Sequence, residues 1–387
     1  MRAVAVAAAI LAVVPAMAVL PAAARPQTAQ AEHASGAAAE AERLVAEMTP
    51  AEQAASIVMG HIPTTDAAAL SDYMRSTGIG GFILMGANIP ADETELRTVT
   101  TAINGEAGLP PLIAIDQEGG DVSRLEWDAF PSARTLKDLS AAETASAFAA
   151  RASLVARAGA SVNFGIVADT TADSSSFIYG RSLGAEPAAA ADRVAAAVAP
   201  EEALTASTLK HFPGHGAAPG DSHELIPSTT ESLEEWRQTD ALPFVAGIDA
   251  GASLLMFGHL AYTGVDATPA SLSARWHEIA RDDLGFDGVI VTDDLGMLLS
   301  TGLPEYADPV ANAVAAVVAG SDLVLMIAHS MPETASQLVA GLEAAVADGR
   351  LSADRLQDAA ERVMTLRLER AASGALWAVC EECEPVG

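Results

Sequence analysis

Aromatic side chains make up only 4% of this 387-residue chain, and cysteine is scarcer still, with Cys380 and Cys383 the whole supply. With so few rings, the 50% hydrophobic fraction is mostly Ala and Val, a composition suited to helices and parallel strands packed tightly through small side chains. One C-x-x-C pair offers two zinc ligands at most, and no strand and helix pattern of a redox fold surrounds it, so it is read as a local disulfide of the tail. Cations are also in short supply. Lys and Arg number 21 against 51 Asp and Glu, giving a formal charge of −30 and a pI near 4.4, so phosphate backbones are repelled and nucleic acid is excluded as a partner. The acid excess is spread along helical stretches such as Glu231 to Asp240 and reads as a solvated surface. No Gly-rich dinucleotide fingerprint follows a strand and no internal repeat is visible.

What is present begins with Met1-Arg2 and an apolar stretch from Ala3 to Leu20, ahead of Ala22-Ala23-Ala24. About 18 apolar residues nearly suffice to span a bilayer, but the Ala richness and the small-x-small site point to a cleaved signal peptide over residues 1–24 and to export, the protein ending outside the cell or at the cell wall. Contact with the membrane is then confined to the signal segment. No Cys follows that segment, which excludes a lipid-anchored lipoprotein. Residues 25–40, Ala-, Gln-, Ser- and Gly-rich without apolar periodicity, read as a linker. A catalytic unit over 41–373 and a tail over 374–387 complete the expected organisation.

Within 41–373 short apolar runs alternate with Ala-, Glu- and Arg-rich helical stretches. The runs are Ser56–Gly60, Gly80–Met85, Pro111–Ile115, Ser161–Ile166, Leu204–Leu209, Ser253–Phe257, Gly288–Thr292 and Asp322–Ile327. Eight strands buried on both faces and separated by helices predict a single (β/α)8 barrel. Active sites of such barrels sit at the C-terminal ends of the strands. Those ends carry His61, Asn88, Asp116, Asp169, Lys210 with His211, His259, Asp293 and His329.

The densest chemistry lies in Lys210-His211-Phe212-Pro213-Gly214-His215-Gly216, followed by Asp221-Ser222-His223. Asp221, two residues before His223, can accept a ring N–H and leave the other nitrogen free to exchange a proton. Asp293 closes the seventh run and adjoins Asp294; one of these two carboxylates can face the barrel mouth, while Asp294 suits a helix N-cap. A carboxylate below and an acid/base beside a leaving oxygen are the two parts that retaining glycoside hydrolysis requires.

These motifs, with Asp116-Gln117-Glu118-Gly119-Gly120 and Gly285-Phe286-Asp287-Gly288 leading into Val289-Ile290-Val291-Thr292-Asp293-Asp294, resemble the signatures of glycoside hydrolase family 3 in its exo-β-N-acetylglucosaminidase branch. The similarity runs from about residue 43 to about residue 370. It implies a retaining hydrolase that needs no cofactor or metal and removes terminal β-linked N-acetylglucosamine from a carbohydrate substrate, often a peptidoglycan fragment. The resemblance puts the nucleophile on Asp293, the acid/base on His223 oriented by Asp221, and sugar contacts on Asp116, Arg124, Arg181, Lys210 and His211. Asp121 stands where the family usually has Arg, and Gly165 to Asp169 and Phe257-Gly258-His259 also depart from the usual runs; none of these removes a catalytic position.

Three other readings compete with this one. A metal-dependent amidohydrolase places His-x-His after its first strand, whereas Gly60-His61-Ile62-Pro63 holds one histidine, and zinc catalysis takes at least three protein ligands. A non-catalytic sugar-binding protein would lack Asp293 or His223, and both are present. A phosphorylase using the same site stays open, since an imidazole acid/base does not repel an anionic acceptor. The signal segment yields a first prediction: N-terminal sequencing of the exported protein should begin at or near Arg25, and an intact Met1 on a cytoplasmic protein would contradict it.

Overall fold

In the computed structural model, residues 27–105 and 108–373 are described; the signal segment and the C-x-x-C tail lie outside them. Each of the eight apolar runs forms a strand: β1 Val58–Gly60, β2 Gly81–Leu84, β3 Leu112–Ile115, β4 Val162–Val167, β5 Ala206–Phe212, β6 Leu254–Phe257, β7 Val289–Thr292 and β8 Val324–Leu325. All are parallel and buried along their length. Sequence neighbours pair from β1 through β7, and β1 pairs β8. A parallel bridge between Val291 and Leu323 brings β7 against β8 and closes the ring. The result is the expected (β/α)8 barrel, with helices around it that cover the β-branched strand residues on the outside.

Several boundaries differ from the expectation, each for a physical reason. Strand β5 runs three residues past Leu209, so Lys210 and His211 belong to the strand itself; internal counter-ions, described below, are what let these polar residues sit in buried backbone. The helical stretch expected over Glu231 to Asp240 is confined to Leu233–Gln238 and is followed by a second helix, Ala241–Asp249, because the chain turns at Thr239 and Pro243 has no N–H with which to continue one helix from there. The expected linker over 25–40 is instead helical from Gln27, in a helix that runs to Ala46. Ala, Glu and Gln are strong helix formers even without apolar periodicity, and Ala41 and Val45 are fully buried where this helix packs on the last one, Ala353–Ser373. No helix among the described residues is long and apolar enough to cross a membrane.

The few aromatics are concentrated. Phe212, Trp236, Phe244, Phe257, Tyr262 and Trp276 pack with ring centroids 4.7 to 5.8 Å apart, mostly edge to face, a geometry favoured by the ring quadrupole. They lie directly beneath the Phe212–Gly216 segment: Trp236 Nε1 donates to the Pro213 carbonyl and the Tyr262 hydroxyl to the Gly214 carbonyl, each at 2.7 Å.

At the opposite end of the barrel, Asp322 secures the β7–β8 seam. Its fully buried carboxylate accepts the Ile290 N–H at 2.8 Å and pairs with Arg281 and, at 2.6 Å, with Arg355 of the last helix. Removing one member leaves the remaining buried charges uncompensated. Asp322→Ala should therefore lower unfolding stability by about 3–5 kcal/mol in a denaturant titration; a loss below about 1 kcal/mol would show that the seam does not depend on this carboxylate.

Candidate active site

A pocket of about 390 Å³ opens at the C-terminal ends of the strands. Of the residues singled out from sequence, Asp116, Arg124, Arg181, Lys210, His211, His223 and Asp293 all line it, and Asp221 stands beside it in contact with His223. The elements that bring them together are far apart in the chain. Asp116 follows β3, Arg124 and Arg181 lie on the loops after β3 and β4, Lys210 and His211 end β5, and Asp293 follows β7.

Charge is balanced inside the wall. Lys210, only 2% exposed, places Nζ 2.7 Å from both Asp116 Oδ1 and Glu118 Oε1. Arg181 grips Glu118 with two parallel bonds, Nε to Oε2 at 2.9 Å and Nη2 to Oε1 at 2.7 Å, the fork geometry for which guanidinium is suited. Arg124 approaches Asp116 at 3.8 Å. Burial alone would raise the Glu118 pKa, but Lys210 and Arg181 outweigh it and bring it down to about 2.

His211 is oriented from both sides. Its Nδ1 lies 2.6 Å from Asp169 Oδ2, and its Nε2 lies 3.4 Å from Arg181 Nη2. A guanidinium only donates, so Nε2 accepts and the ring proton sits on Nδ1 toward Asp169. The other Asp169 oxygen accepts the backbone N–H of His211 at 3.1 Å and that of His215 at 2.6 Å. One buried carboxylate thus fixes both ends of the Lys210–His215 segment.

On the floor, Asp293 and Asp294 have separate tasks. Asp294 caps helix Leu295–Ser300 through the Gly296 N–H and accepts the Ile327 and Ala328 N–H groups; burial pushes its pKa up to about 6. Asp293 accepts the Asp294 N–H at 2.8 Å. Burial would raise its pKa, but His211, His259, that N–H and Lys210 hold it below the usual carboxylate range, so it is ionised at neutral pH. Across the pocket, His223 Nδ1 lies 2.6 Å from Asp221 Oδ1, which also accepts the His223 N–H at 3.0 Å. This pair is open to solvent, with side-chain exposures of 62% and 42%.

A half-buried carboxylate and a solvent-exposed Asp–His pair at one pocket, with paired charges along its wall, is an arrangement for glycosidic bond cleavage, and comparison with known proteins agrees. Residues 49–366 match the family model of the glycosyl hydrolase family 3 N-terminal domain. The chain belongs to glycoside hydrolase family 3. A β-hexosaminidase of Pseudomonas aeruginosa is 37% identical over 65% of this chain and 76% of its own length. One from Xanthomonas campestris is 35% identical over 74% of this chain and 88% of its own. The solved structure of a family 3 β-N-acetylglucosaminidase from a Paenibacillus species superposes with a TM-score of 0.76 at 29% identity, over 84% of this chain. This chain covers 63% of that one.

For a family 3 hydrolase, several strand-end residues prove to be scaffold. Asn88 Nδ2 donates to the Ile62 and Thr64 carbonyls, His61 Nδ1 meets the Ile83 carbonyl, and His259 is held between Ser271 and the Asp294 carbonyl. His329 contacts Ser300 and does not line the pocket. Asp121, the departure from the family pattern, pairs with Arg134 on the surface. Among the described residues no group of three or more His, Cys, Asp or Glu is arranged to hold a metal ion.

The sequence reading passed over Glu118 and Phe177, both on the pocket wall, and treated Asp169 only as a strand end. It also passed over the support behind the wall. Gln117 accepts the Arg124 and Leu125 N–H groups and donates to Asp128, which forms a fully buried pair with Arg151 at 2.7 Å. Gly119, at φ 83°, lies against that guanidinium, where a Cβ would overlap it. The Gly-Gly pair was a visible signal, but for close backbone approach and not for a ligand.

Glu118 carries a pH prediction. Its folded pKa, about 2, is below the ordinary 4.5, so its stabilisation is fully present above about pH 4.5 and is lost as pH falls toward 2; by linkage the difference is worth about 3 kcal/mol. Glu118→Gln should destabilise the protein at pH 7 and flatten the acid limb of its stability curve between those values. An unchanged acid limb would refute the assignment.

Proposed function

We propose that this protein is an exported, retaining exo-β-N-acetylglucosaminidase that acts on terminal β-linked N-acetylglucosamine, with peptidoglycan-derived fragments as its substrate class. The observation that carries the reading is the ionised Asp293 on the floor of the same pocket that the Asp221–His223 pair borders. The names of the Pseudomonas and Xanthomonas relatives support the hexosaminidase activity, and the apolar segment before Ala24 supports export.

In the first step the Asp293 carboxylate attacks the anomeric carbon, the bond from that carbon to the leaving oxygen breaks, and His223 gives its proton to that oxygen. The product is a glycosyl ester on Asp293 and a neutral imidazole. In the second step His223 takes a proton from water as the water oxygen attacks the same carbon, the ester bond breaks, and the carboxylate returns. Two inversions give net retention. Asp221 keeps the Nδ1 proton in place, leaving Nε2 for exchange, and stabilises the imidazolium. Asp116, Lys210, Arg124 and Arg181 hold the sugar by charge-assisted bonds to its neutral hydroxyls, and His211 adds a contact from its imidazole.

Asp293→Asn should abolish turnover and covalent labelling by a 2-deoxy-2-fluoro glycoside; labelling that persists there but disappears in Asp294→Asn would move the nucleophile to the neighbour. His223→Ala should slow substrates with poor leaving groups by about 10²–10⁴-fold while affecting activated aryl glycosides less in the first step. Unchanged hydrolysis of a natural disaccharide would remove His223 from the role. Assayed in phosphate buffer on aryl β-glycosides differing only at C2, the protein should release free N-acetylglucosamine; N-acetylglucosamine 1-phosphate as the product would identify a phosphorylase.

A further inference from the structure

His215 is 1% exposed, lines the pocket, and has a hydrogen-bond partner on neither ring nitrogen. Its backbone, by contrast, is fixed on every side. Its N–H goes to Asp169, the two preceding carbonyls are held by Trp236 and Tyr262, and the next residue, Gly216, lies so close to the Thr170 carbonyl that a Cβ would overlap it. The ring meets the edge of Phe177 at 4.8 Å and of His211 at 5.9 Å. Leaving a buried polar group unpaired costs about 1–3 kcal/mol. A phenyl ring would fill this space without that penalty, so packing alone gives no reason for an imidazole here.

The position is informative. His215 packs against both His211 and Phe177, Phe177 in turn meets the His223 ring at 6.5 Å, and all four line the pocket with Asp293. Resting on the functional reading above, we propose that His215 is a substrate-contacting residue whose imidazole hydrogen-bonds a polar group of the bound N-acetylglucosaminide beside the bond that is cut. Burial lowers its pKa to about 4, despite the opposing pull of Asp169. At neutral pH the ring therefore carries one N–H donor and one lone-pair acceptor, a combination matched to a hydroxyl or an amide and not to an anion. Its task differs from that of His223: it holds the substrate and passes no proton.

The test uses the full-length protein with p-nitrophenyl N-acetyl-β-glucosaminide. His215→Phe should keep or raise the unfolding temperature while lowering kcat/KM by about tenfold or more, and His215→Gln, which restores a donor and an acceptor, should recover part of the loss. A Phe variant that folds and stays within about twofold of the native rate overturns the proposal, as does a folded Gln variant no better than Phe. Should the Phe variant fail to fold, nitrogen NMR of the native imidazole decides: the His215 ring signals should move on adding free N-acetylglucosamine, and signals that stay fixed at saturation overturn the contact. Native protein that cleaves no aryl β-N-acetylglucosaminide would overturn the functional reading itself, an outcome distinct from an active native enzyme with an indifferent His215 variant.

Discussion

The pocket depends on one buried electrostatic compensation, that of Lys210 and Arg181 by Glu118 and Asp116. A lysine at 2% exposure cannot stay charged inside a barrel unless carboxylates replace its hydration. Once Glu118 does so, the other placements follow. Arg181 is drawn across from the β4 loop, the same Nη2 that bonds Glu118 also reaches His211, and His211 in turn orders Asp169. The wall of a neutral-sugar site is thus made of charges that are already satisfied by one another, which lets them be rigid without attracting ions.

Rigidity of the backbone comes from a different source. With aromatics at 4% of the chain, five of them gather around Phe212 under the Phe212–Gly216 segment, and two donate hydrogen bonds to its carbonyls. A segment dense in Gly and Pro is held in one conformation by a concentrated aromatic cluster.

The barrel was legible because each strand is a short, mostly apolar run that must be buried on both faces, and such runs alternating with helices admit few architectures. Closure at Val291–Leu323 and the seam at Asp322 were not legible, since an aspartate before a strand looks like any turn residue. The site was legible where function depends on local spacing, as with Asp221 and His223, or on a strand end, as with Asp116 and Asp293. Glu118 and Asp169 escaped because such a group is defined by what it meets across the barrel, and the partners they meet lie dozens of residues away. Strand-end position was also over-inclusive: Asn88, His61 and His259 spend their polar atoms on backbone groups or Ser271. The helix from Gln27 was not legible from apolar periodicity, because its alanines favour a helix on their own.

The difference in exposure between the floor and the Asp221–His223 pair has a consequence for the catalytic cycle. A group sealed in the wall can change protonation only through a relay of neighbours, whereas an imidazole that is 62% exposed exchanges protons with bulk water directly. In its proposed role His223 regains from the attacking water a proton to replace the one that went with the leaving group, and a water that reaches an exposed ring needs no internal channel. The wall charges are insulated from the surrounding medium, while the imidazole is coupled to it, so the pH of that medium acts on a single, separable part of the machine.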